Sequence, residues 1–463
     1  GLGDVYKRQL QNINAVQPEV VKKQNAKNEL NQYVEKQKQV IESTPEATKE
    51  EKDEAKKLLN NESASATGAI NNAYHNSEVE TALNDAKPKI EAIVPKVRKK
   101  RSALDELQAS ADNQIQNINQ NTEATVEERN EALAKVNTAL EEAKANINNA
   151  QTNDEVDNLK ATNTQKIEQI QPVTEVRANA RKALNEKAQE QNVAIDNNPN
   201  ATIEEKIAAK ELVKQELETA KYRVNHANTN QDVQDVVTSD SNTIAQIQPA
   251  TKIKDDAKAD VNAENAKKQQ EIANNNEATT EEKDVAQQQL NQVTNNANQA
   301  ILDAPDTNQV NVEKNKGVNS IRDINPQIVK KPTAKAEFDK VAKTKKEEIN
   351  QIPNATTDET HQSLNQLNQV VQEAKNQVDQ AQTNAQVDQA QQDGVNKITN
   401  LRPVVAKKQS AIDEINQAKQ NRIDEINQAF SATDEEKETA KQFINDEAQK
   451  ALSQINSANT NAD

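Results

Sequence analysis

The chain has 463 residues and a formal net charge of −16, and its 74 acidic and 58 basic side chains are interspersed without a long block of one sign. An acidic surface of this kind argues against nucleic acid and anionic lipid as partners, because both require basic surface. The absence of cysteine excludes disulfides and thiolate sites, and a hydrophobic content of 33%, with 2% aromatic residues, favours several small cores over one large core.

The opening segment differs in character from the rest of the chain. Residues 1–9 read GLGDVYKRQ and fit poorly with the remaining sequence, so we interpret residues 1–17 as a scar-like opening joined to the end of a preceding repeat. No signal-peptide pattern opens the chain, and no apolar run approaches the ~20 residues of a membrane span.

The remainder of the chain is an internal repeat, marked by the motif I-x-x-[AIL]-x-P, whose proline recurs at intervals of 77 residues. The six prolines, which we call the joint prolines, are Pro18, Pro95, Pro172, Pro249, Pro326 and Pro403. The predicted units are repeats 1 to 5 at 18–94, 95–171, 172–248, 249–325 and 326–402, and an incomplete repeat 6 at 403–463. Because the chain starts and stops within a repeat, we expect it to be a fragment of a longer protein.

The first predicted helix of each repeat comes after the joint proline. Its apolar positions in repeat 1 include Ala26, Leu30 and Ile41. The position of Ile41 holds isoleucine in every copy: Ile41, Ile118, Ile195, Ile272, Ile349 and Ile426. A position that stays apolar through every copy is expected to face a core.

The second predicted helix starts at a threonine that is followed three residues later by glutamate. This spacing predicts a capping box, in which each side chain satisfies a free backbone N–H near the other. The pairs are Thr48 and Glu51, Thr125 and Glu128, Thr202 and Glu205, Thr279 and Glu282, Thr356 and Glu359, and Thr433 and Glu436. An apolar stripe at helical spacing then runs for about 25 residues, or ~38 Å.

The third predicted helix opens with another cap, such as Thr152 with Glu155, and ends before the next joint proline. Gly317 and Gly394 lie at one phase inside this helix, where glycine is expected to weaken it. Three amphipathic helices joined by short loops predict an all-α fold, a tandem array of three-helix bundles that forms an elongated rod. We disfavour one continuous coiled coil, because loop and proline signals interrupt each repeat.

The sequence offers no catalytic, cofactor-binding or metal-binding site. His75, His226 and His361 occupy different phases of the repeat, whereas a metal site built into the repeat would recur at one phase. Paired carboxylates such as Glu127 and Glu128 recur at a helix start, where capping and the positive helix end explain them. We therefore predict a protein that is not an enzyme and has no cofactor.

The segments NNPNATIEEKIAAKELVKQELETA (197–220), NTNQDV (228–233) and IAQIQP (244–249) resemble the domain-of-unknown-function repeat of staphylococcal cell-wall surface proteins, a family that includes a giant extracellular-matrix-binding protein. The resemblance extends over residues 10–463. It implies a secreted protein attached to the cell wall of a Gram-positive bacterium. It also implies a repeat region that holds a distal domain away from the envelope.

Three functional interpretations are compatible with these features. The first is a structural stalk or spacer of a surface adhesin. The second is a set of weak, multivalent sites for extracellular-matrix or serum proteins, and the third is self-association of the repeats in aggregation or biofilm. None of them involves nucleic acid or membrane insertion within these residues.

Overall fold

The computed structural model describes residues 1–353, 355–405 and 407–460, without the side chain of residue 409, so the last three residues of the incomplete repeat lie outside it. Within these ranges the regular structure consists of eighteen α-helices and no strand, which confirms the all-α prediction. The chain divides into two compact units, residues 1–194 with 211–247, and residues 195–210 with 248–463.

The helices occur in the predicted order of three per repeat. A single helix, α1 (Leu2–Ala15), precedes the first repeat. The first helices of the repeats are α2 (Lys22–Glu42), α5 (Lys99–Asn119), α8 (Glu175–Asp196), α11 (Lys252–Ala273), α14 (Lys330–Asn350) and α17 (Lys407–Asn427). The second helices are α3 (Lys49–Asn72), α6 (Val126–Asn149), α9 (Ile203–His226), α12 (Thr280–Asp303), α15 (Thr357–Gln380) and α18 (Asp434–Ser457). The third helices are α4 (Asn76–Glu91), α7 (Asn153–Glu168), α10 (Asn230–Gln246), α13 (Thr307–Arg322) and α16 (Asn384–Thr399).

Each complete bundle within a unit has its own core. In repeat 2, α5, α6 and α7 pack against one another, and Leu107, Ile118, Val136, Ile147 and Ile167 are fully buried between them. Burying side chains of this size contributes about 1.5–3 kcal/mol each, before the entropy cost of ordering the chain. Repeats 1, 4 and 5 have separate cores built from the same phases. The stability of the array therefore resides in several small cores.

The two glycines of the third helices are packing residues. A Cβ atom at Gly394 would lie 2.5 Å from Cε1 of Phe338, and one at Gly317 would lie 2.6 Å from Cβ of Ala297. Repeat 5 carries Phe338 at the position where repeat 1 carries Leu30, and Gly394 where repeat 1 carries Ala86. The large and small side chains compensate for each other within one layer of the core. Glycine lowers the stability of the helix, but it leaves space for the buried phenyl ring.

The joint prolines lie in the segments that connect a third helix to the next first helix. Pro95, between α4 and α5, is buried, as are Pro172, Pro249 and Pro326, whereas Pro403 is half-buried and Pro18 is exposed. The first helix begins three or four residues after the proline in each copy. The connecting segment therefore leads directly into the region where one repeat meets the next, which we call the joint.

Candidate functional site at the joints

Each joint is organised by the capping box that starts a second helix. In repeat 4, Oγ1 of Thr279 accepts a hydrogen bond from the backbone N–H of Glu282 at 3.3 Å, and Oε2 of Glu282 accepts one from the backbone N–H of Thr279 at 2.9 Å. The structure places the other five threonine–glutamate pairs in the same arrangement. Thr279 is fully buried, whereas Thr433 in the incomplete repeat is exposed. A capping threonine is thus covered where another repeat comes after it.

The second oxygen of the capping glutamate bonds to the next repeat. Oε1 of Glu282 accepts hydrogen bonds from the backbone N–H groups of Val329 and Lys330, both at 2.9 Å. These groups open α14, which has no side-chain cap of its own. One carboxylate therefore caps two helices that belong to successive repeats.

The same contact recurs at every joint in the described residues. In each case the acceptor is the second carboxylate oxygen and the donor is at the start of the next first helix. The donors are Arg98 and Lys99 for Glu51, Val176 for Glu128, Ile253 for Glu205 and Lys407 for Glu359, at 2.7 to 3.1 Å.

The acid that precedes each capping glutamate caps a third helix nearby. Oε2 of Glu281 accepts a hydrogen bond at 2.8 Å from the backbone N–H of Asn384, the first residue of α16. Glu50, Glu127 and Glu204 make the equivalent contact with Asn153, Asn230 and Thr307. Two adjacent carboxylates thus satisfy the N-termini of three helices, one in their own repeat and two in the next.

A buried cation completes the joint. Nζ of Lys331 donates to the carbonyl of Asn276, in the loop of the preceding repeat, at 2.7 Å, and to the carbonyl of Asp379, at the end of α15, at 2.8 Å. Carbonyl groups at a helix C-terminus carry partial negative charge and lack intrahelical partners, so a cation there is favourable. The equivalent side chains are Lys100, Arg177, Lys254 and Lys408, and all five are 2–4% exposed.

Backbone contacts join the second helices of successive repeats. The N–H of Thr280, which opens α12, donates to the carbonyl of Gln382, just past the end of α15, at 2.7 Å. The corresponding pairs are Lys49 with Gln151, Val126 with Asn228, Ile203 with Pro305 and Thr357 with Asn459. The start of one second helix therefore meets the end of the next second helix.

The ionisable groups of the joint have shifted pKa values. Partial burial raises the pKa of the Glu282 carboxyl, but hydrogen bonds from the backbone N–H groups of Thr279, Lys330 and Val329 outweigh it and hold that pKa below its usual value. Glu51 has a lowered pKa for the same balance of causes. Burial lowers the pKa of the Lys100 and Lys331 ammonium groups. The carboxylates are thus stabilised as anions, whereas the buried lysines carry a desolvation cost.

Sequence reasoning identified the threonine, the glutamate and the proline of each joint, but it missed the buried cation. The signal was present, because lysine or arginine occupies this phase in all six copies: Lys23, Lys100, Arg177, Lys254, Lys331 and Lys408. Reasoning from single helices also assigned the paired acids to one helix start. Their contacts with the next repeat depend on tertiary structure.

Within the described part of the chain, the histidines and the remaining acids do not assemble into an ion-binding cluster. The three histidines lie in different repeats, and no group of three or more His, Asp or Glu side chains within the described ranges is placed to hold a metal ion. None of the helices in that part of the chain is long and apolar enough to cross a membrane.

Comparison with known protein families identifies the repeat. The family model described as Domain of Unknown Function (DUF1542) matches six consecutive segments, 22–98, 99–175, 176–252, 253–329, 330–406 and 407–463. Each match begins four residues after a joint proline. The matches confirm the resemblance to the staphylococcal repeat.

Curated relatives come from Staphylococcus aureus. The chain is 28% identical over 301 residues to the extracellular matrix-binding protein EbhA of strain Mu3, which covers 64% of this chain and 4% of that protein. EbhA of strain Newman is 27% identical over 301 residues, a match that covers 64% of this chain and 9% of that protein. The chain therefore spans less than a tenth of the length of these relatives. No solved structure matches.

Proposed function

The chain belongs to the family described as Domain of Unknown Function (DUF1542), and we propose that its repeats are the structural spacer of a larger, non-enzymatic adhesin. The observation that carries the proposal is the recurrence of one set of joint contacts at five successive joints. A spacer requires that each repeat hold the next in a defined position. It does not require a ligand.

The direction of the joint supports this function. The start of one second helix meets the end of the next, and a second helix such as α12 has 24 residues. Second helices arranged end to end would add about 36 Å of length per repeat. We propose that the repeating unit is the 77-residue segment that begins at each joint proline, such as 249–325.

The exposed surface also favours a spacer over a repeated binding site. One exposed position of the second helix holds Lys57, Ala134, Glu211, Gln288 and Asn365 in successive repeats. Charge and size change freely there, while the joint contacts are retained. A repeat that bound the same ligand in every copy would keep a fixed exposed patch.

A location outside the cell is part of the same proposal. The relatives are named extracellular matrix-binding proteins, and the resemblance to wall-attached proteins implies export and display at the cell surface. The relatives' name also favours a second candidate function, direct binding of the repeats to matrix or serum proteins. Self-association of the repeats is a related outcome. Binding that strengthens steeply with repeat number would support the second candidate.

The spacer proposal is tested by removing one repeat in register. Deletion of residues 249–325 joins residue 248 to Pro326 and leaves every other joint residue in place. Small-angle scattering of the parent chain and the deletion variant should give maximum dimensions that differ by about 36 Å. A radius of gyration near the ~23 Å expected for a compact chain of this length would contradict the proposal.

A further inference from the structure

One joint carries an excess of positive charge that its structure does not use. Residues 96–101 read KVRKKR, so five of six side chains are cationic. The run is short, so it is compatible with the absence of a long block of one sign in the chain. Two of the five cations are engaged, because Lys100 is the buried cation of the joint and Lys99 pairs with Asp157 at 2.7 Å.

The remaining three cations are exposed. Lys96 and Arg98 lie in the segment before α5, Arg101 lies in its first turn, and none has a carboxylate within ion-pair distance among the residues that the structure describes. Many other lysines of the chain do pair on the surface, for example Lys87 with Glu29 and Lys160 with Glu106.

The carboxylates of the joint are occupied elsewhere. Glu51 accepts backbone hydrogen bonds from Thr48, Arg98 and Lys99, and Glu50 accepts one from Asn153. Among the residues that the structure describes, these acids form no ion pair with the exposed cations. The positive side chains stay available to a ligand from solution.

The position of these cations is also unfavourable for the helix. A helix N-terminus carries partial positive charge, so cations there reduce helix stability and acids increase it. At the phases of Arg98 and Arg101, other copies carry Glu175 and Asp255. Both acids lie in the first turn of their helices, as the helix dipole favours. The first helices α2 and α14 also lack an acid there, and repeat 4 carries Lys252 at the phase of Arg98, so repeat 2 differs from the other copies in the number of its cations.

The three exposed cations form what we call the basic patch, and its positive charge indicates the chemistry of the ligand. Lys96, Arg98 and Arg101 fall within a segment that spans at most ~18 Å. A short basic run on a structured surface is typical of sites for polyanions such as heparin. The net charge of −16 disfavours polyanions over the rest of the chain, so binding would be confined to this segment, and duplex nucleic acid is tested beside the polysaccharide.

We propose that Lys96, Arg98 and Arg101 form a binding site for sulfated polysaccharide chains at the joint between repeats 1 and 2. This site is particular to one joint. It goes beyond the spacer function and does not depend on it, because neither the joint hydrogen bonds nor the bundle cores described above involve the three side chains.

The test uses the full chain and a variant in which the three cations take residues that other copies carry. Lys96→Gln, Arg98→Val and Arg101→Gln reproduce Gln327, Val329 and Gln24 of equivalent positions, so the fold should be retained. The matched control is Lys36→Gln, Lys57→Gln and Lys214→Gln, which removes three exposed lysines without ion pairs in the described part of the chain and changes the net charge equally. Circular dichroism checks that both variants are as helical as the parent.

Binding is measured to immobilised heparin, to chemically desulfated heparin and to a 20-base-pair DNA duplex, at about 0.15 M salt. We expect saturable binding of the parent and the control to heparin, with affinity that falls as salt is raised, and binding about tenfold weaker for the patch variant. Desulfated heparin should bind weakly to all three. Equal heparin binding by the patch and control variants, no heparin binding by the parent, or DNA binding as tight as heparin binding would each overturn the proposal.

Discussion

The capping boxes at Thr279 and Thr433 have the same local geometry and different surroundings. Each threonine side chain accepts a hydrogen bond from the backbone N–H of the glutamate three residues later, at 3.3 and 3.2 Å. Each glutamate side chain accepts one from the backbone N–H of its threonine. Glu282 also accepts hydrogen bonds from Val329 and Lys330 of the next repeat. The capping box is therefore formed by local sequence, and its second function, joining repeats, arises only where a further repeat is present.

Removing the Glu282 carboxylate, which is shared by two repeats, should have the largest effect on the stability of a joint. Glu282→Ala loses one cap and two hydrogen bonds across the joint, and should reduce the free energy of opening that joint by about 3 kcal/mol. Glu436→Ala loses only a cap, and should cost about 1 kcal/mol. Hydrogen exchange of the Val329 and Lys330 amides, with urea unfolding of both variants, measures the difference. Equal costs for the two substitutions would contradict the contrast between the two capping boxes.

Loss of the buried cation at the same joint ranks second. Lys331→Met leaves the carbonyls of Asn276 and Asp379 without their donor and should destabilise the joint by about 2 kcal/mol. Lys331→Arg is the matched control, because Arg177 occupies this position in repeat 3. Urea unfolding followed by circular dichroism compares the variants. A methionine variant as stable as the arginine variant would show that the two hydrogen bonds contribute nothing.

A position inside a bundle offers a contrast with the joint. Gly394→Ala places a methyl group against Phe338 and should destabilise repeat 5 by about 1–3 kcal/mol. Adding Phe338→Leu reproduces the Leu30 and Ala86 pair of repeat 1 and should restore most of the loss. Thermal unfolding of the single and double variants gives the coupling. Additive costs would rule out size compensation within the core layer.

The dependence of stability on pH should be weaker than these effects. The folded-state pKa of Glu282 lies below its ordinary value of 4.5, so the ionised carboxyl stabilises the fold. Its contribution is fully present above that value and is lost as pH falls through the folded-state pKa. The stability difference between the parent and Glu282→Gln should therefore shrink on acidification in urea titrations. A difference that grows as pH falls would be inconsistent with the assigned charge state.

The period of the sequence predicted the helices well, for a physical reason. Residues such as Ile118 and Thr433 act within one bundle or one helix turn, so helical spacing and local capping rules apply to them directly. The third-helix glycines were interpreted from propensity alone, because the phenyl ring that Gly394 accommodates lies 56 residues earlier in the chain, at Phe338. Propensity describes a helix in isolation, and packing decides the rest.

The sequence indicates which residues the joint requires, but not which groups they contact. Recurrence at one phase marks Lys100 and Glu51 as required, but it does not tell which repeat each side chain contacts. The backbone partners of these side chains come from any residue type, so no sequence signal names them. Which backbone groups become partners depends on how the N-termini of three helices come together at the joint.

Whether the joint holds one repeat in a fixed position on the next can be decided from a distance distribution between repeats 4 and 5. The chain has no cysteine, so Gln292→Cys and Gln369→Cys, two exposed positions one period apart, can be spin-labelled specifically. Pulsed electron paramagnetic resonance should give one narrow distance distribution, and Glu282→Ala with Lys331→Met should broaden it. A broad distribution in the unaltered joint, unchanged by those substitutions, would contradict a fixed joint.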